Sequence, residues 1–60
     1  MKYPPDVIQM WLDMLEANPE KLSVWETDFL ESISLQFKAK QTLSDKQVTV
    51  LERIYAEKTP

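Results

Sequence analysis

The chain is 60 residues long, carries a formal net charge of −3, and contains no Cys, His or Gly. That length supports one small domain with a limited core, and the missing Cys and His exclude disulfides, the usual zinc sites and imidazole catalysis. No stretch approaches the roughly 18 apolar residues of a membrane span and the N-terminus lacks a signal-peptide pattern, so a cytoplasmic protein with no membrane partner is expected.

Residues 1–4 read as an extended lead, because Tyr3 and Pro4 each precede a proline and avoid helical geometry there. Pro5 suits a first helical turn, where its missing amide costs nothing. Val7, Ile8, Trp11, Leu12 and Leu15 then carry helical spacing, which predicts a helix over 5–17. Asn18 before Pro19 ends it, and residues 19–22 form a link. A second helix is predicted over 24–40, with Trp25, Phe29, Leu30, Ile33 and Phe37 turned inward. Lys38 and Lys40 suit the negative end of its dipole. After Gln41–Leu43, a third helix over 45–57 carries Val48, Leu51, Ile54 and Tyr55 as its buried stripe, and residues 58–60 fray.

Two capping boxes mark the helix starts. The pattern Leu-Ser-x-x-Glu/Gln-x-x-x-Leu-Glu-x-Ile runs from Leu22 to Ile33 and again from Leu43 to Ile54. Each copy pairs an N-cap Ser with an acceptor three residues later, Ser23 with Glu26 and Ser44 with Gln47. Leu43 and Val48 add a hydrophobic staple to the second. No alternating run is long enough for a strand. The expectation is an all-α protein, one three-helix bundle over residues 1–60 with neighbouring helices antiparallel. Its expected core is Trp11, Trp25, Phe29, Ile33, Phe37, Leu51 and Ile54.

The first helix is more apolar than one bundle face requires. Its polar residues, Asp6, Gln9, Asp13 and Glu16, fall in one narrow arc, and the rest of the circumference is apolar. An amphipathic helix needs an apolar stripe of little more than about 100°. Either the other two helices cover this helix entirely, or its surplus face meets a partner. The second reading is favoured because Met10 and Met14, one turn apart, are adaptable contact residues. The expected partner-binding residues are Met10, Trp11, Met14, Val7 and, more remotely, Leu35. The expected partner is a second copy of the chain, as a homodimer, or a larger protein.

Charge suggests an alternative. Residues 1–32 hold two lysines against seven carboxylates, a balance of −5, whereas residues 33–60 hold five basic side chains against three acidic ones, +2. Lys38, Lys40, Lys46 and Arg53 are the candidates for weak single-stranded nucleic-acid binding, with an aromatic such as Tyr55 to stack on a base. Helix-dipole matching explains part of the same asymmetry, and the acidic balance of the whole chain argues against a basic footprint. Carboxylate pairs such as Asp13 with Glu16 or Asp28 with Glu31 lie one turn apart, yet no nucleophile–base pair or glycine-rich phosphate cradle accompanies them. The expectation is a protein that is not an enzyme, with no catalytic residues, cofactor, metal or small-molecule substrate.

The segment Trp25-x-x-x-Phe29-Leu30-x-Ser32-Ile33-x-x-Gln36-Phe37, followed by Leu43-Ser44-x-Lys46-Gln47-x-x-x-Leu51-Glu52-x-Ile54-Tyr55, resembles small helical phage and bacterial proteins found beside DNA replication or recombination functions. The resemblance covers residues 25–60 and implies no catalytic residues. What it implies is a phage-type accessory factor that docks on DNA-processing machinery.

Overall fold

The computed structural model describes residues 2–59. Among them the chain forms α1 (Pro5–Glu16), a 3-10 turn (Pro19–Lys21), α2 (Val24–Lys40) and α3 (Asp45–Lys58), with no strand. Each of the three helices packs on the other two. The protein is an all-α three-helix bundle. Met1 and Pro60, the ends of the expected lead and tail, lie outside the described residues.

Local chemistry sets each boundary. Pro5 occupies the first turn of α1, and the extended Pro4 offers its carbonyl to the Val7 and Ile8 amides at 3.1 and 3.3 Å. At the far end, Asn18 Nδ2 donates to the Met14 carbonyl at 3.0 Å, satisfying a group the helix leaves open. Both capping boxes form. Ser23 Oγ accepts from the Glu26 amide at 3.1 Å while the Ser23 amide donates to Glu26 Oε1 at 2.8 Å. Ser44 and Gln47 repeat this at 3.2 and 2.8 Å. α2 ends on Gln41 in the left-handed region at φ 57°. A chain without glycine places a side chain there at some cost, and Gln41 offsets it by donating both its amide and its Nε2 to the Phe37 carbonyl.

Two polar ties join α2 to α3. Gln36 and Gln47 form a reciprocal amide pair, with Gln47 Nε2 donating at 3.0 Å and Gln36 Nε2 donating back at 3.2 Å. This explains Gln in the second capping box where the first has Glu: a carboxylate accepts but has no proton to donate. The second tie is Lys58 to Glu26 at 3.5 Å, the one ion pair among the described residues. It fastens the residue at which fraying was expected to begin, and α3 runs one residue further than predicted. The Ser23 amide, and then Lys58, hold the Glu26 carboxyl below its usual range, against the opposing effect of burial.

The core is built from Ile8, Trp11, Leu12 and Leu15 of α1, Leu30, Ile33 and Phe37 of α2, and Val48, Leu51 and Ile54 of α3, closed by Leu43 from the α2–α3 link. Among the described residues no polar side chain is buried in it. Two expected core residues are corrected. Trp25 is 61% exposed, and Phe29 is only partly buried. At 100° per residue Trp25 lies about 80° around the helix from Ile33, toward the α2–α3 seam and away from the bundle axis. It stacks on Phe29 instead, with ring centroids 5.3 Å apart and planes 7° from parallel.

Candidate functional site

α1 is not wholly covered by its neighbours. Ile8, Trp11, Leu12 and Leu15 supply its buried side, while Met10 and Met14 are 47% and 43% exposed and Val7 is half-buried beside them. Val7, Met10 and Met14 follow an i, i+3, i+7 spacing, so they form one stripe along the outer edge of the helix. Tyr55 of α3 closes one side of that stripe, its hydroxyl 3.5 Å from Met14 Sδ. Asp6 and Asp13, both exposed, lie within about 60° of Met10 on the other side. Asp13 is oriented by Gln9, which donates to its Oδ1 at 2.9 Å.

Two of the expected partner-binding residues are placed elsewhere. Trp11 is only 8% exposed. Its ring stacks on Tyr55 at 5.2 Å and meets the edge of Tyr3 at 4.7 Å, so it supports the methionine stripe from beneath and is not a free anchor. Leu35 is 69% exposed, but it lines a separate hollow with Glu16, Glu31, Ser34 and Lys38. That hollow includes none of Val7, Met10 and Met14.

The four basic residues do not form one patch. Lys38 belongs to the hollow with Glu16 and Glu31, whereas Lys46 and Arg53 line hollows in the α2–α3 seam. Lys40 is exposed in the last turn of α2. Sequence neighbourhood brought Lys38 and Lys46 together, but they project on different sides of the bundle. Tyr55 is likewise taken, since one face of its ring is on Trp11.

The seam between α2 and α3 carries a surface that periodicity alone does not predict. The stacked Trp25 and Phe29 form one wall, and Val50 of α3 forms the other, with Ser44, Lys46 and Gln47 at one end. A second hollow continues past Trp25 and Val50 to Arg53, Ile54 and Glu57, with Glu26 beside them. Lys46 and Arg53 are seven residues apart, two helical turns, and therefore share one edge of the groove. Neither has an ion-pair partner among the described residues. The signal in the sequence was the apolar pair Val24-Trp25 directly after the Ser23 cap, where a helix has barely entered the bundle.

Among the described residues no three carboxylates converge as a metal site, and no helix is long and apolar enough to cross a membrane. Comparison with protein-family models, curated proteins and solved structures finds no match for the chain.

Proposed function

We propose that this protein works by binding protein, through the outer face of α1, and that its role is contact without catalysis. The observation that carries the reading is the exposure of Met10 and Met14 one turn apart on a helix whose inner side builds the core. Loose packing does not account for it. The chain's 4055 Å² of accessible surface is close to the roughly 4,100 Å² expected for a folded monomer of this mass. Methionines set in an aromatic surround are adaptable contact residues. Nucleic-acid binding has less support, since Lys38 stands apart and Glu26 and Glu57 share the hollow with Arg53.

A photoreactive benzoylphenylalanine at position 10, with one at exposed Glu20 as control, tests the reading in the producing cells. A discrete protein adduct from position 10 that the control does not give is the expected result. No adduct beyond the control excludes the α1 face as a protein contact.

A further inference from the structure

We infer that the partner of the α1 face is the Trp25 groove of a second copy of this chain. The inference rests on the protein-binding reading above and names its other half. Val7, Met10 and Met14 present the i, i+3, i+7 anchors by which a helix seats itself in an apolar groove. The α2–α3 seam supplies such a groove, walled by Trp25, Phe29 and Val50. Their charges are complementary. Asp6 and Asp13 border the stripe, while Lys46 and Arg53 edge the groove with no ion-pair partner among the described residues. Of the two carboxylates that line the groove among the described residues, Glu26 is held by Lys58 and Ser23, which leaves Glu57. Opposite charges across a rim select and orient partners more than they add affinity. An acidic, methionine-bearing helix therefore fits this groove, whereas a polyanion would meet two cations and an acidic molecule.

The contact is heterologous, since a face meets a groove and each copy carries both. It is also small. A standard interface takes about 800 Å² from each partner, roughly a fifth of this chain's 4055 Å², and one helix stripe offers less. The association is accordingly weak and sensitive to salt.

Sedimentation velocity at chain concentrations up to about 1 mM, the range in which small transient interfaces register, reads the outcome. Met10→Glu/Met14→Glu removes the face and leaves the groove; Trp25→Ala/Lys46→Glu removes the groove and leaves the face. All these positions are exposed, and far-ultraviolet circular dichroism verifies that both variants fold. Wild type self-associates, each variant alone sediments as a monomer, and an equimolar mixture of the two regains a two-chain species. A charge-swapped pair, Asp6→Lys/Asp13→Lys mixed with Lys46→Glu/Arg53→Glu, behaves in the same way. A groove variant that assembles like wild type overturns the inference and leaves α1 binding to α1, with the protein-binding reading intact. A wild type that stays monomeric throughout overturns the second copy as partner, and a position-10 adduct then assigns the face to a different protein. A monomeric wild type that binds an oligothymidylate through Trp25 overturns it in favour of nucleic acid.

Discussion

The two tryptophans separate the core from the candidate surface, and their replacement by alanine measures that separation. Trp11 is 8% exposed and lies between Tyr3 and Tyr55. Truncating a buried Trp removes its transfer free energy and leaves a cavity, together about 3–5 kcal/mol. A domain of this size is stabilised by only about 3–9 kcal/mol in total, so Trp11→Ala removes about a third of that stability or more. Trp25 is 61% exposed, so about 100 Å² of its roughly 250 Å² is covered, worth about 2.5 kcal/mol at most and less against a compact unfolded chain. Alanine returns several tenths of a kcal/mol in helix propensity. Trp25→Ala should therefore cost about 1–1.5 kcal/mol. Urea unfolding followed at 222 nm gives both values by linear extrapolation. Equal losses from the two replacements, or a Trp11 loss near 1 kcal/mol, would refute the assignment of one to the core and the other to the surface.

Three further predictions concern the helix ends. Ser44→Ala should cost about 1 kcal/mol through the lost cap, measured by the same unfolding; no loss with unchanged helix content would mean the box contributes nothing in solution. Gln41→Gly should raise stability by about 0.5 kcal/mol, since glycine relieves the left-handed backbone while the Nε2 bond to Phe37 is lost; a clear destabilisation would show that the side-chain bond outweighs the strain. Glu26 gives a pH dependence. Its folded pKa lies below its usual value near 4.5, so its contribution is complete above that value and disappears as pH falls through the folded pKa. Glu26→Gln keeps an acceptor for the Ser23 amide but has nothing to titrate, and its stability should fall less steeply than wild type below about pH 4.5; parallel curves would argue that the Glu26 shift is absent.

The features legible in the sequence were those decided within a few residues. Ser23 with Glu26 and Ser44 with Gln47 announce their helix starts because a capping box is a local exchange of hydrogen bonds, and both appear as expected. The surplus apolar width of α1 was also readable, since angular position follows from residue number. Trp25 was misplaced because periodicity gives an angle on one helix and says nothing about where the neighbouring helices lie. Trp11 was expected in the core and lies there, but its second expected role as a partner anchor fails because Tyr3 from the lead and Tyr55 from α3 cover its ring. Lys38 and Lys46, near in sequence, part because α2 and α3 turn them to different sides. The Gln36–Gln47 pair spans a helix junction, and nothing short of the packed bundle reveals it.

Oxidative footprinting tests the central claim, that the outer stripe of α1 is a protein contact. Dilute purified chain treated with peroxide should convert Met10 and Met14 to sulfoxides readily, because both sulfurs lie on exposed side chains. The same exposure of intact producing cells, read by peptide mass spectrometry, should give markedly slower conversion at both positions. Equal rates at Met10 and Met14 inside the cell and in dilute solution would contradict the account.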